Sequence, residues 1–123
     1  MEQVHVTAMK GERVELPCRH PAADSDNSSL LSAAEWRYQR SRGQRSSLVA
    51  LEQHVTARFR RRLVVKSSSS TNHSGTADDF EMTLIIGHVT MRDGGIYTCI
   101  ITDQSAETRR FVHLDITGTS TPT

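Results

Sequence analysis

Two cysteines, Cys18 and Cys99, carry the sharpest chemistry in this chain, and they lie far apart in sequence with no CxxC pair. That pattern fits neither a zinc ribbon nor a thioredoxin-type redox centre. A single long-range disulfide is the simpler reading, and it points to an oxidising, extracellular compartment. Six histidines are present. No two of them have the i, i+2 or i, i+4 spacing of a compact ligand set, so no metal site is expected. The serines lie in polar stretches without a G-x-S-x-G elbow, and nothing groups a nucleophile with a base and an orienting residue. Neither enzymatic activity nor a cofactor is expected.

Charge narrows the partners further. Lysine and arginine number 15 against 14 acidic residues, for a formal net charge of +1, so no global field draws the chain to nucleic acid or to an anionic membrane. The basic run Arg58-Phe59-Arg60-Arg61-Arg62 reads as one structural arginine with solvated neighbours, since no aromatic stacking platform accompanies it. No apolar run approaches the ~20 residues that cross a bilayer. Any membrane attachment is therefore expected through a segment outside this chain. The sequons at Asn27 and Asn72 sit in polar stretches that would accommodate a glycan.

The elements that must position these residues are strands. With 123 residues the chain has the size of one domain. Strand-like runs recur between Gly, Pro, Ser and Asp clusters, and none keeps a 3.6-residue period. Val14, Leu16 and Cys18 alternate with Arg13, Glu15 and Pro17; Ala34, Trp36 and Tyr38 alternate with Glu35, Arg37 and Gln39. An Arg/Ser/Gly-rich turn, a short apolar run at Leu48–Leu51 and a strand holding Leu63 and Val65 follow. The polar run 67–79 reads as a hairpin loop. Phe80, Met82, Leu84 and Ile86 then alternate, Val89 begins a crossover to Tyr97, Cys99 and Ile101, and Val112, Leu114 and Ile116 close the pattern. Eight or nine short strands of this kind predict an all-β, two-sheet antiparallel sandwich with one cysteine on each sheet. The domain is expected over residues 1–116, and the TGTSTPT segment at 117–123 reads as the start of a Ser/Thr/Pro stalk or linker.

Cys18, Trp36 and Asp93-Gly94-Gly95-Ile96-Tyr97-Thr98-Cys99 together resemble the Cys, Trp and D-x-G-x-Y-x-C signature of immunoglobulin variable-type domains, and the likeness spans nearly the whole chain. It implies that Trp36 covers the disulfide and that Tyr97 is the tyrosine-corner residue tying down the crossover. Gly95 falls where that crossover needs a positive φ or a close backbone approach. The family's aspartate pairs with an arginine opening an R-apolar-x-apolar strand. Arg62-Leu63-Val64-Val65 fits this pattern, with Arg58, Arg60 and Arg61 as competitors for Asp93. The room between Trp36 and Arg62 allows the extra C′ and C″ strands of the variable type.

Within the family, the opening Gly11-Glu12-Arg13-Val14-Glu15-Leu16-Pro17-Cys18 is similar to that of butyrophilin-like and co-signalling ligands and of fish leukocyte receptors. Trp36-Arg37-Tyr38-Gln39 resembles the W-x-x-Q of antibody and T-cell-receptor domains, whose glutamine lies in the dimer interface, yet no F-G-x-G joining motif follows Cys99. The resemblance implies a cell-surface immune receptor or co-signalling ligand. Strand parity sends Thr98, Ile100 and Thr102 outward beside Phe111 and His113, and Arg37 and Gln39 outward from the Trp36 strand. On the family's GFCC′ face these seven would form a partner-binding surface with an apolar centre and a polar rim. The partner expected there is another immunoglobulin-like ectodomain, and the face also admits a homodimer. A homophilic cell-adhesion module is the alternative.

Overall fold

The computed structural model describes residues 2–20, 31–69, 80–103 and 106–118. Among these described residues nine strands follow in order: β1 (Glu2–Met9), β2 (Val14–His20), β3 (Leu31–Gln39), β4 (Ser47–Leu51), β5 (His54–Val55), β6 (Leu63–Ser69), β7 (Phe80–Ile86), β8 (Gly95–Asp103) and β9 (Glu107–Thr117). They form a six-stranded sheet ordered β1-β9-β8-β3-β4-β5 and a three-stranded sheet ordered β2-β7-β6. All pairings are antiparallel except β1 with β9. The short β4 and β5 extend the large sheet beyond β3, with β5 at its edge, as the extra strands of a variable-type arrangement would.

Alternation builds the core. In β2 the buried residues are Val14, Leu16, Cys18 and His20, each separated by an exposed neighbour. Met82, Leu84 and Ile86 of β7 and Leu63 and Val65 of β6 complete the inner face of the small sheet, and Ala34, Trp36, Tyr97, Cys99, Ile101, Val112 and Leu114 supply that of the large one. Cys18 and Cys99 join the two sheets through the disulfide, with Cα atoms 6.5 Å apart. Trp36 is fully buried and stands directly opposite Cys99 in the β3–β8 ladder. Its aromatic body therefore packs where the sheets are stapled.

The crossover from β7 to β8 is pinned at one end of the sandwich. A single 3-10 turn spans Met91–Asp93, and the buried Tyr97 hydroxyl donates to the Asp93 carbonyl at 2.7 Å. Tyr38 closes the same region by donating to the Gly94 carbonyl at 2.7 Å. Gly95 has φ +148°, and a Cβ there would lie 2.7 Å from Tyr38 Cε1 and 2.8 Å from the Gln39 carbonyl oxygen. Positive φ and close approach thus both demand glycine at this position. Gly94 has an ordinary extended conformation.

A bulge shapes the sheet's outer face. The β3–β4 register shifts between Trp36 and Arg37, so Trp36 faces Ala50 while Arg37 faces Leu48. Val49 is the extra residue, and both it and Ala50 are buried. Leu48 and Leu51, an odd number of positions apart, consequently share the outer side, which a regular strand would forbid.

Candidate functional site

Register arranges the outer face of the six-stranded sheet in three rows. In the first, Arg109 of β9 stands opposite Ile100 of β8, then Glu35 of β3 and Leu51 of β4. The second runs Gln3, Phe111, Thr98, Arg37 and Leu48 across β1, β9, β8, β3 and β4. His5, His113, Ile96 and Gln39 make the third. Leu51 is 50% exposed, and Ile100, Phe111 and Leu48 are half-buried. Ile100 and Phe111 are separated from Leu48 and Leu51 by Glu35 and Arg37 of β3, so apolar and charged side chains are interleaved across the face.

The polar members are held in place. Arg37 donates from Nε to Ser46 Oγ at 3.0 Å and from a terminal nitrogen to Glu35 Oε2 at 3.1 Å. Gln39 spends its amide N–H groups on the carbonyls of Ser41 and Gln44 in the β3–β4 turn, so only its side-chain oxygen remains for a partner. The His5 and His113 rings stack with centroids 4.6 Å apart. Gln3, Gln39, Arg42, Ile96, Phe111 and His113 enclose an open cavity of about 210 Å³.

Two polar clusters lie at the ends of the sandwich. Arg62 forms a two-pronged pair with Asp93, both contacts being 2.7 Å, and of the four neighbouring arginines it alone makes this pair. Burial alone would raise the Asp93 pKa. The Arg62 guanidinium and the Thr90 backbone N–H at 2.7 Å outweigh burial and hold it below the usual carboxylate range. Arg62→Ala is expected to cost about 1 to 3 kcal/mol at neutral pH, in the lower half of that range because the guanidinium remains partly in water. A depressed carboxylate pKa stabilises the fold above the unfolded-state value and loses that contribution as pH falls through the folded one. The gap between wild type and variant in urea denaturation should therefore shrink below about pH 4.

The second cluster lies at the opposite end of the sandwich. The imidazole of His20 is in hydrogen-bond contact with Asp103 Oδ2 through Nε2 and with Thr108 Oγ1 through Nδ1, each at 2.7 Å. The other Asp103 carboxylate oxygen accepts from the Ala106 N–H at 2.7 Å. His20 and Asp103 are both almost completely buried, so the three strands β2, β8 and β9 share one polar knot where β8 turns into β9.

Against this geometry the sequence profile of the immunoglobulin V-set domain matches residues 2–117. The chain belongs to the V-set family. Among solved structures, this V-set domain is similar to the second immunoglobulin domain of the mouse polymeric immunoglobulin receptor. The TM-score is 0.66 with 16% identity, covering 99% of this chain and 100% of that one. Comparison with curated protein sequences gives no match. The V-set domain is a recognition fold without enzymatic function, typical of cell-surface immune receptors, and its disulfide accords with an extracellular location.

Arg37, Gln39, Thr98, Ile100, Thr102, Phe111 and His113 of the V-set domain all sit on the six-stranded sheet. One differs from expectation. Thr98 points outward by parity but is only 6% exposed, because Phe111 and Arg37 stand directly opposite it on the two flanking strands and larger side chains cover a small one between them. It supports the face and does not line it. Glu35 faces outward as the β3 alternation gives it; Leu48, Leu51, Gln3 and His5 are members that alternation does not identify. Ile96 is only 7% exposed but lines the cavity beside Phe111, and His20 with Asp103 is a buried pair that alternation does not identify either. For His20 a signal exists: it continues the inward parity of Val14, Leu16 and Cys18. Asn27 and Asn72 lie outside the described residues. Among the described residues no group of three or more metal-ligating side chains occurs.

Proposed function

We propose that the outer face of the six-stranded sheet recognises another immunoglobulin-like ectodomain, and that this V-set domain is the extracellular recognition part of a cell-surface immune receptor or co-signalling ligand. The observation that carries this reading is the register that brings Ile100 of β8, Phe111 of β9 and Leu48 and Leu51 of β4 onto one sheet face, on either side of β3. Partly exposed apolar side chains interleaved with arginine and polar groups on one open sheet face suit a protein interface, where apolar and aromatic contacts and arginine are enriched. The cavity beside Phe111 and Ile96 would receive a side chain of the partner, the kind of pocket around which binding energy concentrates. Arg37 is already oriented by Glu35 and Ser46, so little side-chain entropy is lost when it engages. The butyrophilin-like opening from Gly11 to Cys18 supports the co-signalling side of the proposal. The segment 117–123 would begin a stalk, with Asn27 and Asn72 as glycan acceptors.

Ile100→Asp or Phe111→Ala is expected to weaken partner binding or self-association by at least about 2 kcal/mol, roughly thirtyfold. Thermal melts should stay near wild type, since neither residue is fully buried. Sedimentation of the isolated domain separates the modes: a monomer that binds a heterologous ectodomain supports the receptor or ligand reading, and a concentration-dependent dimer abolished by Phe111→Ala supports homophilic contact. Face variants that melt, bind and associate like wild type would move recognition to the loops beside the β8–β9 turn.

A further inference from the structure

The chain's near-neutral total conceals a steep asymmetry. Between residues 37 and 62 lie eight arginines and a single acidic residue, Glu52. The fold gathers most of them at one end of the sandwich. β3 ends at Gln39 beside the start of β8, and β6 begins at Leu63 opposite the last residue of β7. The β3–β4 turn, the segment before β6 and the Met91–Asp93 turn therefore converge there.

Tyr38 is the hub of this convergence. Its hydroxyl lies 3.4 Å from the Arg92 carbonyl oxygen, its ring meets Phe59 edge-on at 6.3 Å, and Arg40 and Arg58 are both close enough to act on it electrostatically. Arg58 lies over the Phe59 ring at 5.3 Å and touches Ser47 Oγ at 3.4 Å. Arg40 and Arg42 border an open cavity of about 490 Å³ floored by Gly94 and Gly95, with Asp115 also on its lining. Arg62 is neutralised by Asp93. Among the described residues, Arg40, Arg42, Arg45, Arg60, Arg61 and Arg92 have no carboxylate partner, and all six are exposed.

From this convergence we infer that the arginine-bearing end of the domain binds a linear sulfated polysaccharide of the heparan sulfate class. The positive charges of the β3–β4 turn, of residues 58–62 and of the Met91–Asp93 turn are all guanidinium groups, whose planar forks match tetrahedral oxyanions with paired hydrogen bonds and shed water more readily than ammonium groups. A protein partner would instead call for several apolar or aromatic anchors at the centre. Here Phe59 is already covered by Arg58, and Met91 adds one exposed apolar side chain. Sulfated polysaccharides are the abundant polyanions outside the cell, where the disulfide places this domain. The surface adjoins the proposed recognition face along one edge, where Arg42, Ile96 and His113 border both cavities, and Ile100 lies two rows away from that edge.

The test uses the wild-type domain on immobilised heparin and on a sulfopropyl resin of matched charge density. Elution from heparin at clearly higher salt is expected. In solution, heparin affinity should fall about 10²-fold between 50 and 200 mM NaCl if about four guanidinium groups each release a counter-ion. Arg40→Glu with Arg58→Glu should cut affinity at least about tenfold and reduce the salt slope by about two. Arg60→Glu with Arg61→Glu gives an independent second variant should the first melt early, and Ile100→Asp should leave heparin binding unchanged. Elution from heparin at or below the sulfopropyl salt concentration would overturn the inference. So would equal binding of de-sulfated heparin, preference for phosphatidylserine vesicles or duplex DNA over heparin, or charge-reversal variants that fold and bind heparin like wild type.

Discussion

Replacing Cys18 and Cys99 together with alanine is expected to lower the unfolding free energy by about 4 to 5 kcal/mol. The disulfide closes a loop with a sequence separation of 81, and in the chain-entropy account a loop of that size restricts the unfolded chain by about 4 to 5 kcal/mol. Both sulfurs are fully buried among Trp36, Leu16 and the opposing sheet, so the shorter side chains also leave a void whose lining loses contacts. Domains of this size have about 5 to 15 kcal/mol in total. The variant should therefore be partly unfolded at body temperature. Trp36 is the sole tryptophan and sits opposite Cys99, so its fluorescence during urea denaturation reports the loss directly.

His20→Ala should follow at about 3 to 5 kcal/mol, the cost of removing one member of a buried charged or hydrogen-bonded pair and stranding the other. Asp103 and His20 are each about 3% exposed in their side chains, and Asp103 organises the β8–β9 turn through both its carboxylate and its backbone, with its N–H donating to the Ala106 carbonyl at 2.9 Å. The damage should therefore be local as well as global. Hydrogen exchange should accelerate first at the amides of Ile101–Asp103 and Ala106–Thr108, while the β6–β7 ladder at the other sheet keeps its protection. A variant that melts like wild type would show that the knot contributes nothing net.

What the sequence revealed and what it concealed divide along physical lines. Period-two alternation identifies β2, β3, β7, β8 and β9 because the apolar residues of each that face the opposite sheet recur at every second position, even where Ile85, Ile96 and Thr98 are covered on the other face, and the spacing of Cys18, Trp36, Tyr97 and Cys99 sets them in a sandwich. Features that depend on partners distant in sequence were not legible. β1 pairs with β9 in parallel, a contact no local pattern announces, so Gln3 and His5 were not seen as part of the face. The bulge at Val49 breaks the parity rule from which Leu48 and Leu51 would be placed. Thr98 is covered by neighbours on both flanking strands, and facing outward is a statement of direction, not of exposure. The arginines of 40–45 read as a turn and those of 58–62 as one structural arginine with solvated neighbours, and only the contact of Tyr38 with Phe59 joins the two segments.

The most direct test of recognition through the six-stranded sheet is a glycan placed on it. Phe111→Asn with His113→Thr creates a sequon at the centre of the face, and Val64→Asn with Lys66→Thr creates one on the exposed side of the opposite sheet, where Val64 is 53% exposed. A multimer of the wild-type domain is used to stain cells that carry its partner. Loss of staining with the glycan at 111, and staining retained with the glycan at 64, is the predicted result. Undiminished staining by a fully glycosylated, folded 111 variant would contradict recognition through this face.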